Sequence, residues 1–121
     1  MIDNARLRTE LKILPSGERA VVAFIRCERI TDFDVPALTS DLTSELETLA
    51  RHLVADLSEV HLMGSCGLSL LLTLKRTCEA RGGRLVLCGL NEDLVGMLRV
   101  TSLLKLFRVE ASLDAAVASV G

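Results

Sequence analysis

The sequence predicts an α/β domain in which a small mixed, mainly parallel β-sheet of about five strands is flanked by about four helices. Three observations carry this. From Ala20 to Val120 short apolar runs alternate with amphipathic stretches, the β-α-β-α order that favours right-handed crossovers and parallel pairing. A leading segment, Leu7 to Leu14, alternates with period two and adds an antiparallel strand. The composition, 50% hydrophobic and 25% charged over 121 residues, is globular, and such a chain can bury roughly two-thirds of the surface its unfolded form exposes. One domain over residues 1–121 follows, without internal repeat, low-complexity segment or linker.

In the first strand Leu7, Thr9, Leu11 and Ile13 share one face, and Arg8, Glu10 and Lys12 the other. Pro15-Ser16-Gly17-Glu18 supplies turn chemistry. Ala20 to Ile25 is apolar on both faces and reads as a more central strand, joined to the first by a hairpin. Asp32-Phe33-Asp34-Val35-Pro36 starts a helix with acidic caps and an early proline. Its apolar positions, Val35, Leu38, Leu42, Leu46 and Leu49, step by three and four.

His52 begins a third strand, Leu53 to Leu57. Met63-Gly64-Ser65-Cys66-Gly67 forms a tight turn at which the two glycines supply backbone freedom. A leucine-rich helix then runs from Leu68 to Arg81, with cations in its second half and Gly82-Gly83 as its stop. Arg84 to Cys88 is a fourth strand. Asn91 caps a short helix through Leu94, Val95 and Leu98. Phe107 to Val109 is a last strand, and Ser112 caps a closing helix, Leu113 to Val120.

Composition excludes several functions. Three Phe with no Trp or Tyr leave no aromatic platform for stacking nucleobases. A formal charge of −2 argues against a phosphate-dominated nucleic-acid partner. Cys27, Cys66, Cys78 and Cys88 form no C-x-x-C pair and read as reduced thiols of a cytoplasmic protein. The first residues lack a signal-peptide pattern, and no apolar run reaches the ~18 residues of a membrane span. No metal or cofactor is expected.

The chemistry concentrates at Gly64-Ser65-Cys66-Gly67, where a strand feeds a helix N-terminus and unsatisfied N–H groups collect with the positive end of the helix dipole. The plain reading is a cap, with Ser65 as the capping oxygen and Cys66 packed below it. Ser65 could instead accept a phosphoryl group, and Cys66 could act as a thiolate. Catalysis is the weaker idea. No base is fixed beside Cys66, the G-x-S-x-G spacing is absent, and there is no Walker lysine or G-x-G-x-x-G. His52 and His61 read as solvated. Asp56, in an apolar strand, reads as a strand-end carboxylate bound by loop N–H groups.

The succession Val54-Ala55-Asp56-Leu57-Ser58-Glu59-Val60 and Met63-Gly64-Ser65-Cys66-Gly67-Leu68 resembles the central motif of STAS domains, the bacterial anti-sigma factor antagonists. Val35-Pro36-Ala37-Leu38, Gly82 through Leu90, Thr101 through Phe107 and Ser112 through Val117 continue the resemblance over almost the whole chain. It implies a single STAS-like domain and a non-enzymatic module. Unphosphorylated, such a module would bind an anti-sigma factor, a serine kinase of the histidine-kinase ATPase fold, and so free a sigma factor. Phosphorylation of Ser65 would break the complex, and a serine phosphatase would restore it.

The partner-binding residues expected on this basis are Thr31, Asp32, Gly64, Ser65, Cys66, Gly67, Leu68 and Lys75. A homodimer is left open. Two departures stand out. Gly64 replaces the motif's Asp, and Glu28-Arg29-Ile30-Thr31 stands where the family usually shows Gly-Glu-Leu-Asp. The first favours an alternative, a STAS subunit docked constitutively on a transporter or sensory scaffold, with Ser65 only capping its helix.

Overall fold

The computed structural model describes residues 1–120. In chain order its elements are β1 (Leu7–Ile13), β2 (Arg19–Ile25), β3 (Arg29–Ile30), α1 (Val35–Thr48), β4 (His52–Asp56), β5 (Leu62–Met63) and α2 (Ser65–Ala80). Then follow β6 (Leu85–Cys88), α3 (Glu92–Val100), a single 3-10 turn (Leu104–Leu106), β7 (Arg108–Glu110) and α4 (Leu113–Val120). The main sheet has the order β1-β2-β4-β6-β7, and only the β1–β2 pair is antiparallel. β3 and β5 form a separate parallel pair.

The doubly apolar character of Ala20 to Ile25 has a direct cause. Val21, Ala23 and Ile25 join the larger core under α1 and α2, with Leu38, Leu42, Leu46, Leu70, Leu71 and Leu74. Ala20 and Val22 face the other way, where Ala116 and Val120 of α4 cover them together with Val54, Val86 and Cys88. Strand residues alternate faces, so a strand covered on both sides must be apolar throughout. Each fully buried Leu or Val side chain contributes roughly 1.5–3 kcal/mol, which makes this aliphatic double core the main stabilising term.

The caps at the C-terminal half of the chain match the sequence. Gly82, at φ +75°, and Gly83 end α2 by donating to Glu79 O at 3.0 Å and Cys78 O at 2.7 Å. Asn91 Oδ1 accepts from the Leu94 N–H at 2.8 Å, and Ser112 Oγ from the Ala115 N–H at 3.2 Å.

Five expectations are corrected. The α2 helix begins at Ser65 rather than Leu68. Gly64 has φ −95°, and neither it nor Gly67 has a positive φ, so backbone freedom is not what selects these glycines. Ser65 is not a cap: it is the first helical residue, and no side chain caps this end. Asp34 precedes α1 without capping it, because its carboxylate is bound backwards to Thr31. His52 is buried rather than solvated, with only 4% exposure. Its Nδ1 accepts from the Arg84 N–H at 3.1 Å, so Nε2 carries the hydrogen that faces Glu18 Oε2 at 3.3 Å. Glu18 also holds Arg51, and this trio fastens the end of the sheet opposite the Ser65 turn.

Candidate functional site

The site is built by the small β3–β5 pair. Arg29 faces Leu62 and Ile30 faces Met63, and Glu28 O accepts from the N–H groups of His61 and Leu62 at 2.7 and 3.1 Å. The loop after β2 is thereby zipped to the loop after β4. The Cys66 thiol donates to Ile30 O at 3.7 Å, tying the first turn of α2 to the same structure. Thr31 and Asp32 are brought beside Gly64, Ser65 and Cys66, at the C-terminal side of the main sheet where α/β folds place their sites.

Asp34 shapes the first half of this surface. Its Oδ2 accepts from the N–H and hydroxyl of Thr31 at 3.0 and 2.9 Å, and its Oδ1 from Arg6 Nε at 3.1 Å. The Thr31 N–H is the chief reason that its carboxyl titrates below the usual value; burial opposes it next in size, and the Thr31 hydroxyl and Arg6 add to the lowering. The Cys27 thiol nearby is pushed up by burial and by the Asp34 charge, with Arg6 opposing. It is a protonated bystander rather than a nucleophile.

Ser65 and Gly64 are exposed, Cys66 is half-buried, and Gly67 and Leu68 are buried. Gly67 and Leu68 donate back to Gly64 O at 3.1 and 3.3 Å, while the Ser65 and Cys66 N–H groups have no protein acceptor among the described residues. No acidic residue lies in the first turn. A 16-residue helix therefore presents two free N–H donors and its positive end at the Ser65 turn.

Gly64 has open space around its missing Cβ, so a carboxylate there would fit. Gly67 does not: an added Cβ would collide with Met63.

Lys75 is not gathered with the rest. It lies ten residues along α2 from Ser65, about 15 Å at 1.5 Å per residue, with its Nζ held by both Glu79 oxygens at 2.9 Å. Asp56 accepts from the Ser58 N–H at 2.9 Å and takes no part beyond that. His61 is exposed on the zipped loop. Among the described residues no group of three or more His, Cys, Asp or Glu clusters as a metal site, and no helix is long and apolar enough to cross a membrane.

Two residues of this surface escaped the sequence reading. Phe33 is 82% exposed between Asp32 and Asp34, its ring 6.0 Å from the Arg6 guanidinium, and Leu62 on β5 is 45% exposed. The signal for Phe33 was present: it is a large apolar residue outside the Val35, Leu38, Leu42 stripe, hence one with no core to enter. The two loops thus expose two apolar residues, Phe33 on one and Leu62 on the other, together with charged Glu28, Arg29, Asp32 and Glu59.

Comparison with known proteins bears on this arrangement. An anti-sigma-factor antagonist (STAS) domain protein from Planctomyces limnophilus superposes with a TM-score of 0.81 at 18% identity, covering 98% of this chain and all (100%) of that one. The Bacillus cell fate determinant SpoIIAA in its phosphorylated form gives a TM-score of 0.65 at 16% identity, covering 89% and 96% of the two chains. A sulfate transporter family protein from Wolinella succinogenes gives 0.66 at 23% identity, covering 90% and 88%. At these identities the likeness is one of fold. Among curated proteins none matches the chain. The STAS domain family model matches residues 20–116, a span that contains every strand of the main sheet except β1, the β3–β5 zipper and the Ser65 turn. The chain belongs to the STAS domain family.

Proposed function

We propose that this protein is a non-enzymatic regulatory module of the cytoplasm, an anti-sigma factor antagonist that binds an anti-sigma serine kinase and is released by phosphorylation of Ser65. The observation that carries the reading is the setting of Ser65: exposed, first in α2, with two unpaired N–H donors at that helix end and no acidic residue in the helix's first turn. A phosphoryl group of charge ≈ −1.5 to −2 is favoured there by roughly 0.3–1 kcal/mol, so the modified chain keeps its fold. The same charge inside a closed interface costs several kcal/mol through desolvation and repulsion, a change in affinity of about a hundredfold or more. Binding is switched without refolding, and a serine phosphatase reverses it.

The interface comprises Thr31 and Asp32 on one loop and Gly64, Ser65, Cys66, Gly67 and Leu68 on the other, with Phe33 and Leu62 as its apolar anchors and Lys75 at its far margin. The structural likeness to phosphorylated SpoIIAA supports this reading. The test is partner binding by Ser65→Asp and Ser65→Ala. Loss of binding by the first alone, with an unchanged melting temperature, supports the switch; equal affinity of both refutes it.

A second reading has one specific observation behind it. Gly64 leaves the phosphoacceptor without the motif's carboxylate, and the fold resembles that of a sulfate transporter family protein. A subunit docked constitutively on a transporter or sensory scaffold would need no switch. Under that reading Ser65→Asp binds its partner as the wild type does.

A further inference from the structure

We propose that a notch at the β7 edge of the sheet binds the phosphate of a small phosphomonoester. β7 starts at Arg108, opposite Val86, so Leu85, the first residue of β6, and Arg84 before it have no partner on the β7 side. A cavity of about 270 Å³ opens there, between the last turns of α2, the 3-10 turn and α4. Its polar lining is Lys75, Glu79, Arg84, Arg108 and Ser119, and its apolar wall includes Leu85 and Leu106.

The charges in the notch are not balanced. Glu79 is engaged by Lys75 through both oxygens at 2.9 Å. Arg84 is exposed and has no acidic partner among the described residues. Arg108 gives only its Nε to Glu110, at 3.0 Å, which leaves both Nη groups without a protein acceptor. Two guanidinium groups are therefore available. A carboxylate would satisfy one of them, whereas a phosphomonoester of charge ≈ −1.5 to −2 with three acceptor oxygens matches both.

The surrounding chain favours the same ligand. The cations that line the notch, Lys75, Arg84 and Arg108, outnumber its one carboxylate, Glu79, and such a local field raises the concentration of anions there. Leu85 and Leu106 give the ester's organic part a wall that free phosphate would not use. Lys75 and Glu79 lie about 15–21 Å along α2 from Ser65. The notch shares only Lys75, the far margin of the proposed partner surface, and the proposal does not depend on the Ser65 switch.

The experiment is a backbone-amide NMR titration of the full chain with phenyl phosphate, inorganic phosphate and benzyl alcohol in about 0.15 M salt, where long-range charge effects are screened. Phenyl phosphate should shift the amides of Arg84, Leu85, Leu106 and Arg108 saturably, with a Kd below about 1 mM, and inorganic phosphate should bind about tenfold more weakly. Benzyl alcohol should not saturate. Arg84→Gln should weaken phenyl phosphate about tenfold, and Arg19→Gln, a cation outside the notch, should leave it unchanged. Both replace exposed side chains, so the amide spectrum itself reports that the fold is retained. Shifts that do not saturate by about 10 mM, or an affinity indifferent to Arg84→Gln, would overturn the proposal. Equal affinity for inorganic phosphate would also overturn it, by making the ligand the free anion.

Discussion

A Cβ added to Gly67 would lie 2.6 Å from the Cβ of Met63, so the first turn of α2 and the strand β5 can approach as they do only because residue 67 has no side chain. The contact sets the distance between the Ser65 turn and the loop carrying Leu62. Ala in a helix interior gains roughly 0.5–1 kcal/mol over Gly, but overpacking against a buried side chain costs typically 1–3 kcal/mol. Gly67→Ala should therefore be destabilising by about 1–2 kcal/mol in urea unfolding. An unchanged or raised midpoint would show that Met63 yields freely.

The sequence made the frame of the fold readable because its signals are periodic and long. The two-sided apolar run of β2 and the leucine stripes of α1 and α2 announce buried elements. β3 and β5 could not be read, since two residues carry no period. The start of α2 was hidden for another reason: two glycines and a serine in four residues look like a turn, and only the Met63 contact explains Gly67 in a helix. His52 shows the same limit. Its burial depends on Glu18 and the Arg84 N–H, residues 34 and 32 positions away. That Ser65 lies exposed at a helix N-terminus was legible, whereas Phe33 was overlooked because it lies inside a polar helix start.

Asp34 holds Thr31 in place, and its acid titration should report this. Its folded carboxyl titrates below the ordinary aspartate value of 3.8, so its contribution is present above that pH and is lost as the pH falls through the lower folded value. Asp34→Asn should reduce stability at neutral pH by about 1 kcal/mol or less and flatten the acid side of the stability profile. Partner affinity should fall further than stability, because Thr31 loses its tether. Calorimetry from neutral to acid pH, with a binding titration, checks both parts.

Alkaline pH tests the core. Burial is the main cause that raises the Cys78 and Cys88 thiols to about 12 from 9.0, with the charges of Glu79 and Asp56 adding respectively. The unfolded chain releases these protons near 9.0 and the folded chain keeps them, so stability falls as the pH rises from 9 toward 12. The chain has no Tyr, which removes the usual phenol signal from this window. Cys78→Ala/Cys88→Ala should show a shallower loss of urea midpoint between pH 8 and about pH 10.5 than the wild type. Parallel slopes would assign the loss to other groups.

Ser102 occupies a glycine-like position. At φ +61° it follows α3 while the Leu103 N–H reaches back to Leu98 O at 2.8 Å and its own N–H to Arg99 O at 3.0 Å, the arrangement in which a helix normally ends on Gly. Relief of the left-handed strain should make Ser102→Gly more stable by up to about 1 kcal/mol, despite the extra freedom of the unfolded chain. A lower melting temperature would contradict this.

The central claim rests on Ser65, and intact-mass analysis with peptide fragmentation after incubation with ATP and the candidate cognate kinase tests it most directly. A single added phosphate is expected, on Ser65, with loss of the kinase complex in step with its appearance. No phosphate from a kinase proven active on another substrate, or phosphate on a different residue with the complex intact, would contradict the switch and leave constitutive docking as the better account.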